Sequence, residues 1–537
     1  MYKTKIVHYK TNFTAWYACL GLLLFSLILS LYSCWFLILT LVTATLFCVG
    51  LRDLSQTNHS VLRNYPVIGH LRYFLEYIRP EIRQYFLEGD EEQLPFSRAQ
   101  RSLVYARAKN EPAEKAFGSL KKMYEPGYEF IGHAMIPTGH LDPNDFRIVI
   151  GGKDCVHPYS ASIFNISAMS FGSLSANAIQ ALNAGAFKGG FAHDTGEGSI
   201  SEYHRLHNGD LIWEIGSGYF GCRDDQGRFD AAMFAEQAKT EQVKMIEIKL
   251  SQGAKPGHGG ILPAAKVTNE IASTRKVPVG QDCISPASHS EFSNPIEMMG
   301  FIQRLRDLSG GKPVGFKLCI GHPWEFMSIV KAMLKTGIRP DFIVVDGSEG
   351  GTGAAPREFT DHIGMPLREG LLFVHNTLVG AGLRDEVKIG ASGKIISAFD
   401  IASVMALGAD WVNSARGFMF ALGCLMSGEC STGKCVTGVA TQDPDRQKAL
   451  NVEDKAERVY SFHRNTLITL SEILSSSGLK HPADIKAEHL VRRVSATEIR
   501  LFSELHHFVD KDEFLRGYIK SDFYRSMWAR ASADSFA

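Results

Sequence analysis

Three cysteines lie close together late in the chain, at Cys424, Cys430 and Cys435, in a Cys-x5-Cys-x4-Cys pattern. Thiolates are soft ligands that select zinc, Cu(I) or an iron–sulfur cluster. Three thiolates in one loop, rather than four, favour a cluster in which one corner lacks a protein ligand, because cysteine is the usual ligand of such clusters. The spacing by itself also allows a zinc knuckle or three inert buried thiols, so the flanking sequence has to decide.

Apolar runs between residues 160 and 415 predict the fold that positions this loop. Each run has the length of a strand and is followed by a Gly-rich or polar loop and then a helical stretch. Continuous apolar runs suit parallel strands that are buried on both faces, and eight βα units are the number in a (β/α)8 TIM barrel, an α/β fold. The predicted strands are Phe164–Met169, Gly190–His193, Val243–Leu250, Val277–Ile284, Pro313–Cys319, Phe342–Asp346, Val387–Ala391 and Trp411–Ala415.

An uncharged apolar stretch, Thr11–Leu51, precedes the barrel. One helix of this length would measure about 60 Å, about twice the ~30 Å hydrocarbon core of a bilayer. Two passes, over 14–30 and 34–51, fit better and predict a transmembrane helical hairpin. Basic residues flank both ends, which favours the cytoplasmic side for both. We therefore expect attachment to the inner (cytoplasmic) membrane, with the catalytic domain facing the cytoplasm; the flanking residues are Lys3, Lys5, Lys10, Arg52 and Arg63.

The remaining sequence completes a four-part organisation. The parts are a hairpin anchor (1–52), a helical connecting region (53–155), the barrel with its cysteine loop (156–445) and a C-terminal helical appendage (446–537). Lys+Arg and Asp+Glu both total 57 in 537 residues, so the net charge is zero and no basic stripe suggests a nucleic-acid partner. The ten cysteines show no paired secreted framework, which favours a reducing compartment.

Glycine-rich turns end several of the predicted strands. The active site of a TIM barrel is built from the C-terminal ends of its strands, and turns after strands 7 and 8 often bind phosphate through backbone N–H groups. Ser392-Gly393 and Ala415-Arg416 lie in these two turns, and Arg416 adds a permanent cation with two parallel donors. Gly351 and Gly353 form a third such loop. We expect a phosphate-bearing ligand here, although such glycines can also serve only to permit tight turns.

Lys317 lies in the middle of an apolar strand, Gly315–Cys319. Burying its ammonium group is costly unless an anion or an electron-rich ring meets it. Near the reactive edge of an isoalloxazine ring, the lysine would stabilise negative charge on the reduced flavin. The other interpretation is a buried structural ion pair.

Several motifs together resemble one known family. Asp194–Gly198, Ser251–Gly257, Gly350–Ala354 and the three-cysteine motif, followed by Gly438–Asp443, occur in the same order in the FMN-binding domain of glutamate synthase. The resemblance covers about residues 160–445, and with its apolar N-terminus the chain is similar to stand-alone, membrane-attached glutamate-synthase-like proteins. The family implies a TIM barrel that holds FMN beside a [3Fe–4S] cluster. It also implies reduction of 2-iminoglutarate, formed from 2-oxoglutarate and ammonia, to glutamate.

The resemblance also implies roles for individual residues. Cys424, Cys430 and Cys435 match the cluster ligands. The catalytic residues are expected to be Lys317, Gln252, His258 and Glu197. Glu197 could position the substrate or only accept backbone N–H groups within its turn. The residues expected to contact FMN are Met169, Ser170, Thr195, Gln252, Lys317, Gly351, Gly353, Ser392, Gly393, Ala415 and Arg416.

The chain departs from the family pattern in three respects. It opens Met1-Tyr2 and has no room for a glutaminase domain, so we expect it to use free ammonia or ammonia from a partner. His258 stands where the family has a glutamate, which leaves recognition of 2-oxoglutarate open. Val436 follows the third cysteine, where the family has proline.

Three functions therefore remain open from the sequence. The first is a glutamate-synthase-type enzyme with a ferredoxin-like or other electron donor. The second is an FMN and iron–sulfur oxidoreductase that acts on a different amine, imine or oxo acid. The third is a non-catalytic, membrane-held electron carrier.

Overall fold

Eight parallel strands close into a barrel in the computed structural model, which describes residues 13–90, 95–112 and 116–537. Strands adjacent in the barrel are consecutive in sequence, and the last strand pairs in parallel with the first. The predicted (β/α)8 barrel is therefore confirmed. The strands are β1 Phe164–Ile166, β2 His193–Asp194, β3 Leu211–Ile215, β4 Val243–Lys249, β5 Val314–Leu318, β6 Phe342–Asp346, β7 Lys388–Ser392 and β8 Trp411–Ser414.

One of the eight strand predictions was wrong. The predicted strand Val277–Ile284 is not part of the barrel: only Cys283–Ile284 is extended, and it pairs antiparallel with Ile261–Leu262 in a separate two-stranded ribbon. The third barrel strand is instead β3, which the sequence reading missed, so the predicted strand at Val243 is the fourth. The reason is that Glu214 interrupts the apolar run of β3 although every residue of this strand is buried, whereas Val279–Asp282 is apolar only in part and is exposed.

Five of the helices that connect and cover the strands begin directly after a residue whose side chain caps them. The side chains of Ser175, Asp230, Thr268, Asn294 and Ser397 each accept a hydrogen bond from a backbone N–H of the first turn. The helices are Ala176–Gly189, Glu202–Arg205, Ala231–Ala238, Asn269–Arg275, Pro295–Leu308, Pro323–Thr336, Arg357–His362, Leu367–Gly380, Ala398–Ala406, Arg416–Ala421, Pro444–Gln447, Val452–Ser476, Phe502–Leu505 and Asp522–Arg530.

Residues 99–163 and 415–537 belong to the same compact unit as the barrel and also contribute strands. Helix Val452–Ser476 lies directly on Ala176–Gly189, and a Cβ added at Gly185 would lie 2.5 Å from Val459 Cγ1. Beyond the helices, the flanking segments contain two small sheets. One pairs Glu129–Ile131, Leu490–Arg493 and Ile499–Leu501, and the other pairs Arg147–Ile150 with Tyr159–Ser162.

The N-terminal residues form a compact unit of their own, which ends at Arg98. Helices Thr14–Ser30 and Phe36–Ser55 run antiparallel: Trp16 Nε1 donates to the Phe47 carbonyl at 3.2 Å, and the Ser26 and Thr43 hydroxyls are 3.4 Å apart. By length and composition, Phe36–Ser55 could cross a bilayer, while the other apolar helix is shorter. Helices Ser60–Asn64 and Gly69–Ile82 follow, then a π-helical turn, Arg83–Leu87, and helix Arg98–Ala108. Lys3, Lys5 and Lys10 lie outside the described residues.

Candidate functional site

A cluster of charged side chains fills the barrel between β2 and β5. Lys317 of β5 is 3% exposed; its ammonium bonds to the Glu214 carboxylate on β3 and lies 3.2 Å from Glu247 Oε1 on β4. One oxygen each of Glu214, Glu247 and Asp194, the last residue of β2, all lie within 4.8 Å of one another. Lys317 is thus held in buried ion pairs. A buried structural ion pair was one of the two interpretations of this residue from the sequence.

Burial and like charge shift the protonation of this cluster. Burial raises the pKa of Asp194 well above its ordinary value, and the neighbouring Glu247 adds to the increase. Burial likewise raises the pKa of Glu247 to about 7, although Lys317 opposes it. For Lys317, burial alone would lower the pKa, but the surrounding carboxylates of Glu214, Glu247, Asp194 and Asp346 outweigh it and raise the pKa. Glu214 and Glu247 were not among the predicted site residues, although a charged residue inside an apolar strand is itself a signal.

Glu197 lies in a second, more basic group above β2. Its carboxylate is 3.2 Å from Lys249 Nζ, and Ser285 Oγ donates to it at 3.4 Å. Burial alone would raise the pKa of Glu197, but Lys249, Arg275 and Lys255 outweigh it and lower the pKa. Three cations against one carboxylate leave this region positive, which suits an anionic ligand.

The loops after β1 and β2 approach each other closely. Gly196 has φ +64°, and a Cβ there would lie 2.8 Å from the backbone nitrogen of Ser170. Met169 and Ser170 are both buried, and Arg275 donates to Ser170 Oγ at 3.3 Å. Thr195 Oγ1 donates to the Gly196 carbonyl and accepts from the Glu214 backbone N–H. Of the predicted flavin contacts, Met169, Ser170 and Thr195 therefore lie together on one side of the barrel mouth.

A second side of the mouth, next to the loop after β1, is formed by the loops after β6, β7 and β8. Ser392 pairs with Asp346 across β7 and β6, and its hydroxyl lies 3.4 Å from that of Ser167 after β1. Gly393 follows with φ +151°. Ala415 directly precedes the helix that begins at Arg416, so the first N–H groups of this helix have no partner within the helix.

The glycine loop after β6 joins this side to the cysteines. A Cβ added at Gly351 would meet only Arg416 Nη2, at 3.5 Å, and a Cβ at Gly353 would meet only Cys430 Cβ, at 3.6 Å. Both glycines thus border open space, one beside the cation after β8 and the other beside the predicted cluster. The two predicted sites are therefore neighbours.

The three cysteines share one electrostatic environment. Burial raises the pKa of the Cys424 thiol; Arg416 opposes this, and Cys430 and Cys435 add to it. Burial alone would also raise the pKa of Cys435, but hydrogen bonds from the Thr437 hydroxyl and from the backbone N–H groups of Ala440, Thr437 and Val439 lower it. Among the described residues the three sulfur atoms do not all lie within 4.8 Å of one another, but their charges influence one another and Cys435 is surrounded by donors, as suits the thiolate ligands of a cluster.

The cysteine loop is fixed to the loop after β1. Buried Lys266 donates to the carbonyls of Cys430, at 2.9 Å, and Ser173, at 3.4 Å. Gln442 Nε2 donates to the carbonyls of Gly172 and Leu174. These bonds hold the cysteines next to the part of the mouth that contains Ser170.

Two predicted catalytic residues lie at the edge of this arrangement. Gln252 is half-buried in the loop after β4. His258 is exposed, with its ring edge-on to Phe359 at 5.4 Å between centroids and its Nδ1 next to the Gly259 carbonyl. The adjoining Gly260, not His258, is the residue that approaches Glu197: a Cβ at Gly260 would lie 1.9 Å from Glu197 Oε1.

Comparison with known proteins identifies the family. Residues 140–480 match the conserved region in glutamate synthase. The chain is 40% identical over 503 residues to the glutamate synthase large subunit-like protein YerD of Bacillus subtilis, covering 86% of this chain and 95% of that protein. The chain belongs to the glutamate synthase family. It is also 37% identical to an archaeal-type glutamate synthase [NADPH] of Thermotoga neapolitana, over 58% of this chain and 59% of that one. The archaeal glutamate synthase [NADPH] of Methanocaldococcus jannaschii is 36% identical over 58% of each chain.

Membership of the glutamate synthase family makes the chain an oxidoreductase of the class that acts on CH–NH2 donors. The geometry of the barrel mouth suits the cofactors of such an enzyme. The glycine loop beside Arg416 suits a phosphate group. The donors around Cys435 suit a thiolate-bound cluster.

Proposed function

We propose that this chain is an FMN- and iron–sulfur-dependent enzyme of the glutamate synthase type that reduces 2-iminoglutarate to glutamate. One observation carries the proposal: the glycine loop after β6 borders Arg416 at Gly351 and Cys430 at Gly353. The side proposed to bind phosphate and the three-cysteine loop thus share one opening. A flavin and a cluster that exchange electrons must lie close together in this way.

FMN is held in this proposal by groups on both sides of the mouth. Arg416, the turn at Ser392-Gly393 and the glycine loop receive the phosphate, because a guanidinium and backbone N–H groups both bind it well. Met169, Ser170, Thr195 and Gln252 contact the ring from the other side. When bound, FMN supplies hydride transfer.

The cluster is proposed to be [3Fe–4S], with Cys424, Cys430 and Cys435 as its ligands. The family and the ligand count support this assignment. Lys266, which binds the Cys430 carbonyl, and Gln442 keep the loop in place during electron transfer.

The basic group around Glu197 is proposed to bind the substrate. 2-Iminoglutarate carries two carboxylates, and Lys249, Lys255 and Arg275 outnumber the single acidic side chain among them. Lys255 is 5% exposed, and burial lowers its pKa, so an incoming carboxylate would restore the charge balance there. Glu197 orients Lys249 through their ion pair and remains ionised at neutral pH.

A second substrate class follows from His258. This histidine is exposed at the position where the family has a glutamate, and its ring packs on Phe359. An imidazole changes both the charge and the hydrogen bonding of that edge of the pocket, which favours an amine, imine or oxo acid other than 2-iminoglutarate.

The helical hairpin is proposed to anchor the enzyme in the cytoplasmic membrane, with the barrel on the cytoplasmic side and electrons supplied by a ferredoxin-like or other donor. The apolar helix Phe36–Ser55 supports this. Removal of residues 1–55 should then shift the protein from the membrane fraction to the soluble fraction while it retains its flavin. Recovery of the full-length chain in the soluble fraction without detergent would contradict the anchor.

The enzymatic proposal is tested with purified, cofactor-loaded protein. Incubation with 2-oxoglutarate, ammonium and a chemical reductant should yield glutamate, and omission of ammonium should abolish the product. Absence of glutamate from fully loaded protein rules out the first substrate. Oxidation of the reduced flavin by a different imine or oxo acid would then support the second class, while failure of every such acceptor would leave only electron transfer.

A further inference from the structure

The charged cluster inside the barrel contains more carboxyl groups than can be ionised at the same time. Asp194, Glu214, Glu247 and Lys317 come from four adjacent strands and are all at most 3% exposed. If every group were ionised, three carboxylates and one ammonium would carry a net charge of −2. Carboxylates this close in a buried site cannot all ionise, so the cluster binds at least one proton at neutral pH.

The hydrogen bonds of the cluster indicate where that proton is available. Lys317 engages Glu214 directly and lies in an ion pair with Glu247. Asp194 Oδ1 accepts from the Gly196 backbone N–H at 3.0 Å, whereas Asp194 Oδ2 and both Glu247 carboxylate oxygens are fully buried and accept no hydrogen bond among the described residues. Asp194 is the last residue of β2, at the mouth end of the barrel. An unsatisfied oxygen in this position is where a proton can be bound and from which it can leave.

The neighbouring strands add one further carboxylate to the cluster, and their nearest cation is paired elsewhere. Asp346 at the end of β6 accepts from the Gly253 backbone N–H at 2.8 Å and adds a further negative charge. Lys249 of β4, the register partner of Lys317, is paired with Glu197 instead. Lys317 therefore remains the principal cation for four carboxylates in the described part of the barrel.

Reduction of an imine to an amine requires two electrons and two protons. A hydride carries both electrons and one proton to the carbon, and the nitrogen needs the second proton. Resting on the proposed function above, we propose that Asp194, Glu214, Glu247 and Lys317 form a proton store, which takes up one proton when the flavin is reduced and returns it to the imine nitrogen when hydride leaves.

The physical reason is electrostatic coupling. Negative charge that arrives at the barrel mouth attracts Lys317 and repels the carboxylates, so the affinity of the cluster for a proton rises. When the charge leaves as hydride, this affinity falls and the proton is released at the mouth end. Burial raises the pKa of Glu247 to about 7, so this member of the cluster changes protonation near neutral pH, and burial raises the pKa of Asp194 as well.

Proton uptake during flavin reduction tests the store directly. The full-length holoprotein is reduced stepwise with dithionite, without oxygen, in weakly buffered solution that contains a pH indicator. The wild type should take up about one more proton per flavin near neutral pH than Glu214→Gln, in which the cluster has lost one carboxylate. Glu386→Gln, on the loop before β7 at the opposite end of the barrel, is the control and should behave as the wild type does.

An infrared measurement tests the proton store independently of Glu214→Gln, and it can be used if that variant does not fold. Reduced-minus-oxidised spectra of the wild type should show the carbonyl stretch of a protonated carboxylic acid gaining intensity, and Asp194→Asn should reduce that gain. Equal uptake in the wild type and Glu214→Gln, or no carboxylic acid signal in the wild type, would overturn the store. If the enzyme forms glutamate but the wild type and Glu214→Gln take up equal numbers of protons, only the proton store is overturned. If the two proteins differ in proton uptake but no glutamate forms, the store is supported and the proposed substrate is contradicted.

Discussion

Individual side chains at the barrel mouth have separate tasks, and this separation makes them testable one at a time. In the proposed enzyme the cysteines provide soft ligands and Arg416 provides a fixed cation, while Lys317 and its carboxylates place charge within the barrel. Cys430 lies in the middle of the three-cysteine motif and is the one that borders the glycine loop. Its removal should therefore affect one cofactor and spare the other.

Cys430→Ser should remove most of the iron and acid-labile sulfide but leave the flavin bound, because a serine hydroxyl is a poor ligand for a cluster that prefers thiolates. Iron, sulfide and flavin are measured on the same anaerobic preparation. Cys155→Ser changes a half-buried thiol that bonds to the Gly311 carbonyl, away from the mouth, and serves as the control. Unchanged iron content in Cys430→Ser would exclude this residue as a ligand.

Arg416→Gln should weaken flavin binding by about ten- to a hundredfold, since a hydrogen bond to a charged group contributes about 1.5–3 kcal/mol. Affinity is measured by flavin fluorescence on rebinding of FMN to flavin-depleted protein. Lys239→Gln removes an exposed cation just after helix Ala231–Ala238 and should bind FMN as the wild type does. Equal affinities in all three proteins would show that Arg416 does not contact the phosphate.

At the scale of elements, close helix packing holds the C-terminal segment on the barrel. Gly185 allows helix Val452–Ser476 to approach Ala176–Gly189, since a Cβ there would also lie 2.8 Å from the Ala456 carbonyl. Gly300, by contrast, is exposed on helix Pro295–Leu308, and a Cβ there would meet nothing within 4 Å. The two helical glycines therefore form a matched pair.

Gly185→Ala should destabilise the fold by about 1–3 kcal/mol because it overpacks the helix contact. Gly300→Ala should instead stabilise it by about 0.5–1 kcal/mol, because alanine is the better helix former and has free space there. The midpoints of chemical denaturation of both variants, compared with that of the wild type, measure these changes in stability. A similar effect of both substitutions would mean that the close approach at Gly185 is not a real constraint.

At the same scale, the sequence predicted most of the barrel but not the identity of every strand. Seven of the eight predicted strands overlap barrel strands, because buried parallel strands have long apolar runs. β3 was missed since Glu214 lies within it, and that residue is buried only because Lys317 meets it from another strand. Pairings between residues 103 positions apart are not visible in local sequence patterns.

For the site, as for the barrel, the sequence predicted some residues and missed others. Loop residues such as Arg416, Gly351 and Cys430 are recognisable because their types and spacing are informative, and the structure brings them together. The cations around Glu197 were not predicted, because Lys249 and Arg275 come from separate elements that only the fold unites.

At the scale of the whole molecule, the buried acids make stability depend on pH. Glu247 has a pKa of about 7 in the folded protein and an ordinary value of 4.5. Between these values the unfolded chain releases its proton while the folded protein retains it, so this contribution to stability is full below pH 4.5 and is lost as pH rises towards 7.

Glu247→Gln should therefore lose less stability than the wild type as pH rises through this window. Denaturation midpoints in detergent, measured at several pH values, give the slope for each protein. Glu236→Gln, an exposed site, should keep the slope of the wild type. Parallel curves for Glu247→Gln and the wild type would show that Glu247 is not protonated in the folded state.

We propose that the barrel mouth holds a flavin next to a thiolate-bound iron centre. Absorption and EPR spectra of protein purified without oxygen, with the acid-released flavin identified, test both cofactors in one sample. We predict FMN as the released flavin and the EPR signal of an oxidised three-iron cluster, with the iron signal absent from Cys430→Ser. Wild-type protein that contains neither flavin nor inorganic sulfide would contradict the account.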